Sequence, residues 1–142
     1  MSPDRGVLVI EQHLTHLIED LGLPALAPTD SNGYFQLPLQ GDLVLSLKDL
    51  SPGFALVSSL GSFPNQNKEE LLIYLMKANF LGQGTGEQII GMNPDEKFLT
   101  LSRSITYEMN YQGFKETLED FTNYLIYWKG EVKRMQAIQP IL

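Results

Sequence analysis

Few residues in this chain combine the type and the spacing that chemistry needs, and each such set is short of a partner. His13 and His16 stand three apart, close enough on a helix to share a metal ion. Zinc normally takes three or four protein ligands, and the sequence holds two histidines and no cysteine. Glu19 or Asp20 would complete only a weak site, so both imidazoles are expected at the polar boundary of a helix, in solvent. Gly82-Gln83-Gly84-Thr85-Gly86 has the glycine density of a phosphate loop. Such a loop leads from a strand into a helix N-terminus, whose amides and dipole hold the anion. Here the apolar pattern puts a helix before the glycines and a strand after them, and no Gly-Lys-Ser/Thr follows. A helix exit with left-handed residues is the expected structure. Ser58, Ser59, Ser62, Ser102 and Ser104 lie in no Gly-x-Ser-x-Gly elbow. Glu69 with Glu70, and Glu119 with Asp120, are neighbours on helices and point in different directions. The expectation is no catalytic residue, no metal and no cofactor.

Composition narrows the classes further. The chain has 142 residues, 43% of them hydrophobic, enough for one domain over 1–142 with a core of its own. Seventeen acidic residues against 10 basic ones give a net charge of −7. Nucleic-acid binding needs a concentrated basic footprint, and the nearest approach, Lys129, Lys133 and Arg134, is interrupted by Glu131. An acidic surface suits solubility, or a partner segment that is itself basic. The lack of cysteine fits a reducing compartment. No signal-peptide core and no stretch of roughly 18 apolar residues is present, so a soluble cytoplasmic protein is expected.

The elements that must position these residues follow from periodicity. Val7, Ile10, Leu14, Leu17, Ile18 and Leu21 repeat at three and four residues, with Asp4 as N-cap, Gly22 at the left-handed exit and Pro24 beyond it. After a loop over 25–33, three short strands are expected: Tyr34 to Leu39, a second around Leu43, Leu45 and Leu47, and a third from Phe54 to Leu60. Turn residues at Gln40-Gly41-Asp42 and Ser51-Pro52-Gly53 make an antiparallel meander. Asn67 with Glu70 looks like a capping box for a helix through Leu71, Leu72, Leu75, Met76, Ala78 and Phe80. That helix is apolar on more than one face, as a helix covered by both a sheet and a second subunit would be. Gln88 to Met92 and Phe98 to Arg103 form a second hairpin about Asn93-Pro94-Asp95, with Ile105 and Tyr107 extending it. A last helix starts near Asn110 or Tyr111, with Phe114, Leu118, Phe121, Leu125, Trp128, Val132 and Met135 on one face and Pro140 as its stop. Tyr124 and Tyr127 fall off that face and are read as exposed or as covering a partner or ligand. The fold class is α+β, ordered α-β-β-β-α-β-β-α, with helices packed on an antiparallel sheet.

Several strings, in this order, resemble the class I type III secretion chaperones, the Tir-chaperone family. They are the Leu21-Gly22-Leu23-Pro24 exit, Val57-Ser58-Ser59-Leu60-Gly61-Ser62-Phe63-Pro64, the helix through Ala78-Asn79-Phe80 into Gly84-Thr85-Gly86, Phe98-Leu99-Thr100-Leu101-Ser102-Arg103, and the final helix with Phe114, Leu118, Phe121 and Trp128. The resemblance implies a small acidic dimer of the bacterial cytoplasm without enzymatic activity. It would bind the extended N-terminal chaperone-binding region of a secreted effector and keep it soluble and competent for secretion. It further implies a dimer interface at Leu72, Met76, Phe80, Ile89, Ile90 and Met92. Effector contact is expected at Leu14, Leu17, Phe35, Leu37 and Leu45, each of which is equally a core residue by type. Pro38 removes a ladder donor and marks the first strand as an edge where an effector segment would pair. Homodimer and heterodimer with a related chaperone both stay open. The other readings are a regulatory or small-ligand-binding domain of the same architecture, and third an enzyme.

Overall fold

The computed structural model describes residues 8–65, 67–93, 95 and 97–137. Asp4, Val7, Pro94 and Pro140, assigned above to a cap, a helix face, a turn and a helix stop, lie outside them. The elements run α1 (Val9–Leu21), β1 (Tyr34–Pro38), β2 (Val44–Asp49), β3 (Phe54–Ser62), α2 (Lys68–Asn79), β4 (Ile89–Met92), β5 (Phe98–Ile105) and α3 (Tyr111–Ala137), with a short 3-10 turn at Phe80–Gly82. The strands form one five-stranded antiparallel sheet in the order β1-β2-β3-β5-β4, so β1 and β4 are its edges. This is the expected α+β order.

Contacts divide the chain into two compact units, Met1–Leu56 with Ser104–Leu118, and Val57–Arg103 with Glu119–Leu142. β3, β5 and α3 each contribute to both. Charge is divided unevenly. The first unit's sequence carries three basic and nine acidic residues, net −6; the second carries seven and eight, net −1.

In the first unit, α1 ends as its sequence dictates. Gly22 takes φ 65° and ψ 32°, the Gly22 N–H donates to the Glu19 carbonyl, and the Leu23 N–H donates to the Ile18 carbonyl at 3.0 Å. That pair of bonds is a Schellman exit, and it fits glycine because the left-handed position penalises a Cβ. The α1 face of Ile10, Leu14, Leu17 and Ile18 is buried, as are Phe35 and Leu37 of β1 and Leu45 and Leu47 of β2. Phe54 and Phe114 pack ring to ring at 5.3 Å. Gly53, at φ 84°, brings the 51–53 turn so close to the Ile105 carbonyl that a Cβ there would sit 1.9 Å from its oxygen.

The histidines are not simply solvated, as was expected. His13 is half-buried, and its Nε2 lies 2.9 Å from the Met109 carbonyl oxygen. His16 stacks on the Tyr111 ring at 3.7 Å, and the Tyr111 hydroxyl donates to Asp20 at 2.7 Å. Burial, with the Asp20 carboxylate beside it, pushes the Tyr111 hydroxyl up to about 12. Both imidazoles therefore join α1 to the start of α3. Among the described residues no cluster of three His, Cys, Asp or Glu is placed to hold a metal ion.

In the second unit, Leu71, Leu75 and Ala78 of α2, Leu99 and Leu101 of β5, and Phe121, Leu125, Trp128 and Val132 of α3 are buried. The capping box expected at Asn67 does not form. Asn67 adopts left-handed backbone at φ 59° and ψ 31°, whereas an N-cap of that kind requires extended backbone. Arg103 gathers the far side of the unit, pairing with Glu87, with Asp120 at 3.3 Å and with the amide oxygen of buried Gln88 at 3.2 Å.

Candidate functional site

The second unit presents an apolar face built from two elements. On α2 the buried positions Leu71, Leu75 and Ala78 occupy one side, and Ile73, Met76 and Phe80 fall opposite them. Met76 is 69% exposed, Phe80 61%, Leu81 85% and Ile89 of β4 61%. Met92 is exposed as well, and Leu72 is half-buried. One side chain fastens the two elements together. The Asn79 amide donates to the Ile90 carbonyl at 2.8 Å, and its oxygen accepts from the Ile90 N–H at 2.9 Å. These Ile90 groups point away from β5, because Ile90 faces Leu101 at a non-hydrogen-bonded position of the ladder. Asn79 thus closes the outer edge of β4 while Phe80, the next residue, is turned outward.

The glycine run that follows is a packing device. Gly82 and Gly86 take positive φ, and the Gly84 N–H donates to the Ala78 carbonyl at 2.9 Å. Trp128 Nε1 donates to the Gly84 carbonyl at 2.9 Å. A Cβ on Gly84 would lie 3.0 Å from that of Ala78, and one on Gly86 would lie 2.9 Å from the Tyr124 ring. The expected helix exit is what forms. Its glycines are needed because the turn packs against Ala78 of α2 and Tyr124 and Trp128 of α3, partners distant in sequence.

The first unit offers a groove of about 780 Å³ beside α1. Ile18, Leu23, Leu26 and Phe35 give it apolar walls, and Glu11 and Glu19 border it. Of the five residues expected to meet an effector, Phe35 alone lines this groove. Leu14, Leu17, Phe35, Leu37 and Leu45 are 0% to 4% exposed, so they serve as core. The physical reason is simple: alternation selects the inward side of a strand or helix, which is the side that folding covers. Leu23 and Leu26, in the loop after α1, were missed; their signal was two leucines inside a proline-rich connection.

The edge expected at β1 exists but is largely closed. The Leu39 N–H donates to the Leu43 carbonyl at 2.8 Å, which places Tyr34, Gln36 and Pro38 with their backbone groups outward. Tyr34 spends both of its groups on Asp30: its N–H donates to the carboxylate at 3.0 Å, and its carbonyl accepts the Asp30 N–H at 2.9 Å. The Tyr34 N–H above all, with the N–H groups of Asn32 and Gly33 and the Gln36 amide, holds the Asp30 carboxyl below its ordinary range. Pro38 has no N–H to offer. Only Gln36 presents both groups along this edge.

Fold and face together define a small α+β protein that leaves apolar surface uncovered, the kind of surface that marks contact with other proteins. Residues 12–129 match the Tir chaperone protein (CesT) family, and the chain belongs to that family. Solved structures with the same fold include the complex of ExsC with ExsE, at 16% identity and a TM-score of 0.69, covering 84% of this chain and 90% of that one. The HopA1–SchA chaperone–effector complex matches at 14% identity and a TM-score of 0.63, over 85% and 93%. YbjN from E. coli, proposed to be a transcription regulator, matches at 12% and 0.60, over 91% and 95%. No curated protein sequence matches. Among the described residues no helix is long and apolar enough to cross a membrane.

Proposed function

We propose that this chain is a type III secretion chaperone of the bacterial cytoplasm, without catalytic activity. It forms a single domain that pairs with a second chain through the α2–β4 face. It holds the N-terminal chaperone-binding segment of a secreted effector in extended form, soluble and ready for export. The observation that carries this reading is the α2–β4 face itself. Leu72, Met76, Phe80, Ile89 and Met92 are too many apolar residues to leave in water, and Ile90 anchors the strand beneath them. Family membership over 12–129 supports a chaperone role for the chain. The effector segment lies along the groove of Ile18, Leu23, Leu26 and Phe35, and the −6 charge of this unit selects a basic segment.

The test is purification from the native bacterium followed by mass spectrometry, with light scattering on the isolated chain. Recovery of one secreted effector, held through its N-terminal region, is the expected result. Recovery of a metabolite without a protein would overturn it. A lone chain that stays monomeric points to a heterodimer with a related chaperone.

A further inference from the structure

The second unit holds a groove that the chaperone reading does not use. It has a volume of about 590 Å³, is open to solvent, and runs between the end of α2 and the middle of α3. Tyr74, Tyr124, Tyr127 and Trp128 wall it, above Ala78 and Gly84. Tyr127 meets Trp128 edge-on at 5.2 Å, and Tyr74 tilts against Trp128 at 5.5 Å, so the three rings make a fixed corner. Two of the polar tips are already committed. Trp128 Nε1 is held by Gly84, and the Tyr74 hydroxyl donates to Glu131 at 2.5 Å. What the groove offers a visitor is ring surface, the amides of Gln83 and Asn123, and the ammonium of Lys77.

Lys77 is exposed and makes no ion pair among the described residues. Among the described residues no carboxylate lines the groove. Glu131, behind Tyr74, is occupied by Arg134 at 2.9 Å, which with Tyr74 holds its carboxyl below the ordinary range. The α1 groove has the opposite character, with two glutamates and, among the described residues, no cation. One chain thus presents two apolar grooves of opposite sign, the cationic one in the unit of net charge −1.

We propose that the Lys77 groove is a second docking site, for a short acidic segment of a partner protein that inserts an aromatic or aliphatic side chain against the exposed Tyr127 ring and the half-buried rings of Tyr74 and Tyr124. The carboxylates of that segment answer Lys77, and like-charge repulsion turns a basic segment away. An open groove suits a chain segment, whereas small molecules are mostly enclosed.

The experiment uses the full chain and two capped hexapeptides, Asp-Glu-Phe-Leu-Asp-Glu and Lys-Arg-Phe-Leu-Lys-Arg. Binding is followed by the emission of Trp128, the only tryptophan in the chain, and by amide shifts at Lys77 and Tyr127. The acidic peptide is expected to bind at least about tenfold more tightly than the basic one, a difference of about 1.4 kcal/mol. Lys77→Glu should erase that preference, and Tyr127→Ala should weaken both peptides; both side chains are exposed, and an unchanged Tm verifies the fold. Equal binding of the two peptides, no binding at millimolar concentration, or indifference to Lys77→Glu overturns the proposal. So does N-acetylphenylalanine binding as tightly as the acidic peptide, which would make the groove a small-molecule site. A change of oligomeric state in either variant, with no peptide bound, would assign the groove to a second copy and overturn it as well.

Discussion

Asn79 pairs its side-chain amide with both backbone groups of Ile90, standing in for a sixth strand at the outer edge of β4. The bond pair sits directly beneath the apolar face, so it sets where Ile89 and Met92 lie relative to Met76 and Phe80. Asn79→Ala leaves two half-buried backbone groups without their partner, at a cost of about 1–3 kcal/mol. Urea unfolding should show that loss, and hydrogen exchange should localise it at the Ile90 amide. An Ile90 amide as protected as before would show that the side-chain pair is dispensable.

Met76 and Phe80 are exposed, so charging them spares the fold and attacks only what covers them. Met76→Glu with Phe80→Glu is expected to convert a dimer to a monomer in light scattering. The concentration dependence of Tm that dimerisation confers should vanish with it. A double variant that remains dimeric moves the interface elsewhere.

Asp30 closes the β1 edge, and its lowered carboxyl pKa gives that closure a pH dependence. A depressed carboxylate stabilises fully above its unfolded pKa, about 3.9, and the contribution fades as pH falls through the lower folded value. Protection of the Tyr34 amide should therefore persist at neutral pH and drop in strong acid. Asp30→Ala should remove it at every pH and leave β1 more open to strand addition.

Tyr74 behaves in the opposite sense. Its hydrogen bond to Glu131, with burial second, pushes the hydroxyl up to about 12 from an ordinary 10.0. The neutral hydroxyl's contribution is complete below pH 10 and lost as pH rises through about 12. Tyr111 titrates over the same window, so the measurement is the difference between the parent and Tyr74→Phe. That difference should be constant up to pH 10 and shrink toward pH 12; one that does not shrink removes Glu131 from the account.

Regular periodicity made most of the fold legible. The four-three repeat of α3 names its buried face from Phe114 to Val132, and the alternation of β3 separates Phe54, Leu56, Ser58 and Leu60 from their neighbours. The excess of apolar residues on α2 corresponds to an uncovered face that includes Ile73 and Met76. What stayed hidden depends on register or on distant partners. Asp30 and Asn79 close edges only because the ladders turn Tyr34 and Ile90 outward, a phase that composition does not encode. The Asn67 reading failed because a left-handed residue took the place of an extended cap. The groove at Leu23 and Leu26 was missed because loop leucines carry no period.

The contacts of His13 and His16 also set a clock. Met109 lies 96 residues after His13, and Tyr111 lies 91 residues after Asp20. Translation at about 5–20 residues per second separates the making of α1 from that of its mates by roughly 5–20 s. During that interval the stripe of Leu14 and Leu17 emerges with nothing of the 104–118 stretch to cover it. Nascent α1 therefore completes its packing only when the start of α3 has left the ribosome.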